Sequence, residues 1–150
     1  MYKIRDWLYI SDYASAKSQK IVDEAGIQAM LQLFQPIELE GVVTKFISIG
    51  DGLPLTQAQI ETAISFIREQ HDKQHCLLST CGAGLSRSVT FAIIALKEIE
   101  SLSLADAYRA IFEHHPKAMP DHIHWQAVAD YYGEVDNFWE IWGELTLGNE

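Results

Sequence analysis

One short segment of the chain has residue types that can carry nucleophilic chemistry. An apolar run, Leu77–Thr80, leads into Cys81, and a glycine-containing loop then leads to Arg87 and Ser88 at the start of a predicted helix, residues 86–98. A free cysteine thiol, with a pKa of about 8.5, is mostly protonated at neutral pH, whereas the thiolate is the nucleophile. The helix dipole, the loop N–H groups and the Ser88 hydroxyl all favour a thiolate. The segment therefore predicts a nucleophilic cysteine.

The loop after this cysteine suits a phosphate dianion. Its successive N–H groups can form an anion-binding ring, and the planar fork of Arg87 matches two phosphate oxygens. Phosphoryl transfer requires mainly positioning and charge stabilisation, so we expect neither a metal nor a cofactor. The predicted phosphate-binding residues are Gly82, Ala83, Gly84, Leu85, Ser86 and Arg87.

A second segment has the composition of a loop that presents a general acid. Asp51 stands between Gly50 and Gly52, after an apolar stretch over residues 42–49, and precedes Cys81 by 30 residues. Cleavage of a phosphomonoester requires a proton on the leaving oxygen. We expect Asp51 to donate that proton and then to orient the hydrolytic water. An ordinary turn aspartate is the alternative interpretation.

The spacing Cys81-x-x-Gly84-x-x-Arg87-Ser88 resembles the signature loop of the cysteine-dependent protein tyrosine and dual-specificity phosphatases. The order of strand, aspartate loop, helix, strand and cysteine loop is similar to that of the small dual-specificity phosphatases. The resemblance extends over roughly residues 7–132. It implies a phosphatase-like fold and a phosphocysteine intermediate, with Cys81, Arg87, Asp51 and Ser88 as catalytic residues.

One position departs from the resembled family. A histidine usually precedes the cysteine there, and this chain has Thr80, which offers a hydroxyl but no imidazole. A catalytically silent phosphate-binding module is therefore one alternative function. A rhodanese-like sulfurtransferase is another, because it also presents a loop cysteine before a helix, although it requires neither Asp51 nor the glycine–arginine–serine spacing.

Hydrophobic periodicity predicts an α/β fold in which strands alternate with helices before a final run of helices. We expect a single domain over residues 1–150, with a central mixed sheet of about four to five strands and helices on both faces. Predicted strands cover residues 3–5, 8–10, 29–34, 42–49 and 76–80. Predicted helices cover residues 12–25, 57–73, 86–98, 104–114, 122–132 and 135–143.

Composition restricts the environment and the partners. The formal net charge of −10 at pH 7 argues against nucleic acid or an anionic membrane as a partner. The two cysteines have no framework pattern, the N-terminus has no apolar signal core, and the longest apolar run is too short to span a bilayer. We therefore expect a cytoplasmic protein that acts on a phosphorylated protein or a small phosphomonoester. Phosphotyrosine, phosphoserine or phosphothreonine, and non-protein substrates remain open.

Two further groups of residues are a cluster of histidines and an aromatic stripe. Four histidines lie in pairs on either side of two prolines, and no carboxylate or cysteine stands at the spacing of a metal site. We therefore expect surface or partly packed side chains for His114, His115, His122 and His124. An aromatic stripe near the C-terminus is expected to pack back on the domain, with a partner or dimer contact as the alternative. It comprises Phe138, Trp139, Ile141, Trp142 and Leu145.

Overall fold

The computed structural model describes residues 1–50 and 52–148, and within them the strands form one five-stranded sheet. The spatial order of the strands is β1-β2-β5-β3-β4, with β1 antiparallel to β2 and all other pairs parallel. This confirms the predicted mixed sheet of four to five strands. The strands are β1 (Tyr2–Arg5), β2 (Leu8–Ser11), β3 (Ala29–Gln32), β4 (Val43–Phe46) and β5 (Leu77–Thr80).

Helices cover both faces of the sheet, as predicted. Leu77 and Leu78 of β5 show the division, because consecutive side chains of a strand enter opposite layers. Leu78 joins a small core with α1 and α2, whereas Leu77 joins the large core formed with the later helices. The helices of the described residues are α1 (Tyr13–Ala16), α2 (Gln19–Ala25), α3 (Gln57–Asp72), α4 (Arg87–Glu100), α5 (Leu104–His114), α6 (His122–Tyr132) and α7 (Phe138–Leu147).

Capping residues set the starts of the long helices. The Thr56 hydroxyl accepts from the Gln59 N–H while the Gln59 side chain accepts from the Thr56 N–H, a capping box at α3. Ser103 and Asp121 cap α5 and α6 through their side chains. These are the starts predicted from the sequence.

Several predicted boundaries were wrong. The predicted helix over residues 12–25 is two helices, because the Ser18 side chain caps the N–H of Ile21 and starts α2 anew. The predicted strands over residues 29–34 and 42–49 end earlier, at Gln32 and Phe46. The predicted helix over residues 135–143 begins later and ends later, because Asn137 caps α7 by accepting from two N–H groups.

The central helix α4 positions the loop that precedes it. Its residues 88–96 are all buried, so the helix is surrounded by protein over most of its length. Its N-terminus directly follows the loop that begins at Cys81. None of the helices in the described residues is long and apolar enough to cross a membrane.

Candidate active site

Four loops meet at the carboxyl edge of the parallel strands, which is where open α/β sheets bind ligands. The central strand β5 continues into residues 81–87, here called the cysteine loop. The segment after β4, residues 47–55, is called the aspartate loop. The turns after β2 and β3 complete this edge, so β5 places the cysteine loop between its neighbours.

Cys81 lies buried at the start of the cysteine loop and is 3% exposed. Its Sγ is 3.1 Å from Oγ of Ser88, which lies in the first turn of α4 and is fully buried. The Ser79 hydroxyl donates to the Ser88 carbonyl over 2.9 Å, which ties β5 to the helix. The sulfur therefore faces a hydroxyl that can donate to a thiolate, beside the positive end of a helix dipole.

Three carbonyls within residues 82–85 of the cysteine loop accept hydrogen bonds from groups outside the loop. Two of the donors are backbone N–H groups, and the third is an imidazole nitrogen, which carries the hydrogen because a carbonyl only accepts. The pairs are Tyr13 N–H to Gly82 O at 3.0 Å, His115 Nε2–H to Gly84 O at 2.8 Å, and Met119 N–H to Leu85 O at 2.8 Å.

These contacts determine where the next N–H groups point. In a planar trans peptide the N–H is directed opposite to the carbonyl. The N–H groups of Ala83, Leu85 and Ser86 therefore point away from the outside donors, and within the described residues none of them donates to a protein acceptor. Such a set of N–H groups can bind an anion.

Glycine is required at position 84. Its φ is +74°, and a Cβ there would lie 2.8 Å from both the Asp12 nitrogen and the Ser11 carbonyl carbon. Those neighbours are backbone atoms, so they cannot move aside as a flexible side chain would. The end of β2 therefore packs directly on the middle of the cysteine loop.

Thr80 holds the base of the loop. Its hydroxyl oxygen lies 3.1 Å from both the Ser11 and the Asp12 carbonyl oxygens, to which it can donate. Its own carbonyl accepts from the Leu33 N–H at 3.0 Å. This residue thus ties β5 to the ends of both neighbouring strands.

Arg87 lies between the turns that follow β3 and β4. Its Nη1 donates to the carbonyls of Leu33 and Ile49, each at 3.3 Å. Its guanidinium carbon is 5.8 Å from the ring centre of Phe34. The arginine therefore joins the cysteine loop to the aspartate loop.

Side chains hold the aspartate loop just before its predicted acid. Three successive carbonyls accept from three different helices, and Asp51 itself lies outside the described residues. The contacts are Gln59 Nε2 to Ser48 O at 2.9 Å, Arg87 Nη1 to Ile49 O at 3.3 Å, and His124 Nε2 to Gly50 O at 3.3 Å. The segment that leads to Asp51 is therefore fixed beside Arg87.

Comparisons with known proteins agree with this architecture. The chain is 31% identical over 78 residues to human dual specificity protein phosphatase 16, a match covering 52% of this chain and 12% of that protein. Human DUSP28 superposes with a TM-score of 0.81 at 18% identity, covering 89% of this chain and 96% of the other. The chain has a dual-specificity phosphatase fold. The resemblance predicted from the cysteine loop is thus confirmed.

Two further structures share this dual-specificity phosphatase fold. Human tyrosine phosphatase-like serine/threonine/tyrosine-interacting protein has a TM-score of 0.78 at 19% identity, covering 89% of this chain and 95% of its own. DUSP15 has a TM-score of 0.77 at 20% identity, with 95% and 92% covered. No protein-family model matches the chain.

Sequence reasoning missed an aromatic pair at the rim of the cysteine loop. Phe34 is 41% exposed, and its ring meets that of Tyr13 edge-on with centroids 5.3 Å apart. A Cβ on Gly82 would lie 3.9 Å from the Phe34 ring. The pair comes from the turns after β3 and β2, so only the parallel pairing of these strands with β5 brings it to the loop.

Two of the four histidines are buried, contrary to the expectation of surface or partly packed side chains. His115 and His124 are 0% and 1% exposed, whereas His114 and His122 are exposed. Burial lowers the pKa of His115. Each buried ring donates from Nε2 to a loop carbonyl, and each Nδ1 has no partner in the described part of the chain. Those carbonyls lie 31 and 74 positions away, so local sequence carries no signal for the contacts.

The remaining candidate groups lie outside the cysteine loop. Burial raises the pKa of Cys76 to about 11, and both cysteines are free. Among the described residues, no three histidine, cysteine, aspartate or glutamate side chains are placed to share a metal ion. A cavity of about 670 Å³ lies between α3, α6 and α7, and neither Cys81 nor Arg87 lines it.

The C-terminal stripe packs mainly on the core, as expected. Phe138 and Ile141 are buried, and Trp142 and Leu145 are partly buried against the same core. Trp139 differs, because it is 51% exposed.

Proposed function

We propose that the chain is a metal-independent phosphomonoester hydrolase, a protein tyrosine or dual-specificity phosphatase acting through a cysteinyl-phosphate intermediate. Residues 1–150 would form its catalytic domain in the cytoplasm. The observation that carries the proposal is the cysteine loop: Cys81 starts it beside the Ser88 hydroxyl, and the N–H groups of Ala83, Leu85 and Ser86 have no protein acceptor among the described residues. The phosphatase fold supports the same reaction class.

In the first chemical step the Cys81 thiolate attacks the phosphorus atom. An S–P bond forms as the P–O bond to the leaving group breaks, and Asp51 transfers its carboxyl proton to the departing oxygen. Arg87 and the loop N–H groups stabilise the charge on the phosphoryl oxygens. The proposed phosphate-binding residues are Gly82, Ala83, Gly84, Leu85, Ser86 and Arg87.

In the second step water replaces the sulfur. The Asp51 carboxylate accepts a proton from a water molecule whose oxygen attacks phosphorus, and the S–P bond breaks to release inorganic phosphate. The departing thiolate accepts a hydrogen bond from the Ser88 hydroxyl, which lies 3.1 Å from the sulfur. The net reaction is hydrolysis without any external reductant or cofactor.

Hydrolysis of para-nitrophenyl phosphate between pH 5 and 8 with excess EDTA tests the proposal. We expect turnover that resists the chelator and falls below about a thousandth of wild type in Cys81→Ser, because the serine hydroxyl is a much weaker nucleophile at these pH values. Arg87→Lys should also lose most activity through loss of the bidentate fork. Cys76→Ser is the matched control, because burial keeps that thiol protonated, and its activity should match wild type. Normal turnover in Cys81→Ser would refute the mechanism.

A silent phosphate-binding module is the second candidate. Thr80 stands where the resembled family usually has histidine, and one superposed structure is named a phosphatase-like interacting protein. Binding of inorganic phosphate by freshly reduced wild-type protein without turnover would select this candidate. The sulfurtransferase alternative has no support from the superposed structures described above, because all of them share the dual-specificity phosphatase fold.

The proposed substrate is a phosphorylated protein or a small phosphomonoester, and the net charge of −10 argues against nucleic acid or an anionic membrane as a partner. The exposed rim residue Phe34 gives an aromatic substrate group an apolar surface beside Arg87. A partner or dimer contact through the C-terminal stripe stays a prediction, and Trp139 is the side chain that such a contact would use.

A further inference from the structure

His115 contacts the cysteine loop from outside at a single point. Its Nε2–H donates to the Gly84 carbonyl over 2.8 Å, and the side chain is fully buried. The imidazole ring is stacked on Tyr2, with centroids 3.7 Å apart and an interplanar angle of 12°. The ring is therefore held in the orientation that directs Nε2 at the loop.

The backbone of His115 is fixed as well. It ends α5, where its N–H donates to the Ile111 carbonyl at 2.9 Å. Its carbonyl accepts from the Ala118 N–H at 3.0 Å, closing a turn before Met119 donates to the Leu85 carbonyl at 2.8 Å. The end of α5 and the turn that follows it thus hold two consecutive carbonyls of the cysteine loop.

The Gly84–Leu85 peptide transmits this contact to the anion site. Its carbonyl points at His115, so its N–H, which belongs to Leu85, points the opposite way. Gly84 tolerates several backbone conformations because it has no Cβ, so its own conformational preference does not hold this peptide plane. An outside donor is needed to keep the Leu85 N–H directed at a bound anion.

We propose that His115 is a positioning residue of the active site: its imidazole holds the Gly84 carbonyl outward and so presents the Leu85 N–H to the phosphoryl group. The inference rests on the proposed function. The chain lacks the histidine that usually precedes the cysteine in the resembled family, and the Thr80 hydroxyl at that position contacts the Ser11 and Asp12 carbonyls and the Ser11 hydroxyl at the base of the loop. The imidazole that orients this loop comes instead from the end of α5.

Binding of inorganic phosphate, followed by amide NMR of the labelled protein, tests the role without requiring turnover. His115→Phe keeps a ring against Tyr2 but removes the donor, and we expect phosphate affinity to fall about tenfold, the size of one ordinary hydrogen bond. The phosphate-induced shift of the Leu85 amide should shrink, whereas that of Ala83 should persist because the Tyr13 N–H orients that peptide.

Two further variants separate the donor from the ring. His115→Gln places an amide nitrogen near the position of Nε2 and should keep phosphate affinity within about threefold of wild type. His114→Phe changes the exposed neighbour and should change nothing. Should His115→Phe fail to fold, Tyr2→Leu removes the stacked ring while keeping the imidazole, and it should weaken the Leu85 response selectively.

The outcomes distinguish this inference from the proposed function. Suppose that wild-type protein binds phosphate and that His115→Phe shows the same affinity and the same Leu85 amide shift. That result would overturn the role of His115 and leave the proposed hydrolase function intact. An equal loss at Leu85 and Ala83 would also overturn it, because that pattern reports general loosening. Wild-type protein that neither binds phosphate nor hydrolyses a phosphomonoester would refute the proposed function, and the positioning role with it.

Discussion

The cysteine loop and the aspartate loop are held in different ways. Donors from elsewhere in the fold reach three carbonyls within residues 82–85 of the cysteine loop and three within residues 48–50 of the aspartate loop. For the cysteine loop two of the donors are backbone N–H groups, from Tyr13 and Met119. For the aspartate loop all three are side chains, from Gln59 of α3, Arg87 of α4 and His124 of α6.

The comparison shows which loop is held by backbone groups of the fold and which is held by individual side chains. A backbone donor persists whatever side chain occupies its position, so the cysteine loop depends mainly on the packing of β2, β5 and α5. A side-chain donor is lost by one substitution. We therefore expect the aspartate loop to be the more easily altered of the two, with Arg87 as the side chain that contacts it from the edge of the cysteine loop.

Replacing the predicted acid should give the largest effect. Asp51→Asn is expected to lower kcat about 100- to 1000-fold by removing the proton donor, and to abolish the basic limb of the pH–rate profile. Inorganic phosphate should bind as tightly as in wild type, because the cysteine loop is unchanged. An unaltered basic limb would assign the acid to another residue.

Replacing Gly84 of the cysteine loop should lower activity nearly as much, and it should also weaken phosphate binding. Gly84→Ala places a Cβ 2.8 Å from backbone atoms, and we expect kcat/KM to fall about 100-fold as the loop N–H groups are displaced. Gly41→Ala is the matched control: its φ is +73°, and a Cβ there would have no neighbour within 4 Å. It should cost about 1 kcal/mol of stability and no activity. Equal behaviour of the two variants would show that close packing on β2 is unimportant.

Removing a side-chain donor to the aspartate loop should affect catalysis without affecting phosphate binding by the cysteine loop. His124→Phe removes the donor to the Gly50 carbonyl, and we expect about a fivefold lower kcat with unchanged phosphate affinity, because only acid positioning is disturbed. His122→Phe, an exposed position on the same helix, is the control. A parallel loss of phosphate affinity in His124→Phe would show instead that this contact also supports the cysteine loop.

The smallest expected effect is a pH dependence of stability from His115. Burial lowers its pKa below the ordinary value of 6.5, so on acidification the unfolded chain takes up a proton before the folded chain does. Its contribution to the free energy of unfolding is complete above pH 6.5 and declines as the pH falls towards the folded value. Urea unfolding at pH 7.5 and 5.5 should therefore show a smaller pH dependence in His115→Gln, by up to about 1 kcal/mol. Identical pH dependence would contradict burial of a neutral imidazole.

Local sequence was sufficient for the elements whose signals are local. The cap of α3 at Thr56 and the end of α2 at Gly26 were predictable, because a cap involves residues within one turn. The end of β4 was not, since after Phe46 the carbonyls of Ser48 to Gly50 bond to side chains of distant helices instead of a neighbouring strand.

The sequence by itself determined the order of strands and helices, the sheet between two helical layers, and a cysteine loop whose chemical groups all lie within eight consecutive positions. Short-range spacing encodes such a loop, because its residues share one strand end and one helix start. Only the tertiary structure decided which side chains surround it: the burial of His115 and His124, the Phe34 and Tyr13 rim, and the donors to the aspartate loop. These contacts join positions far apart in the chain, so they exist only once the parallel strands have paired and the helices have packed against the sheet.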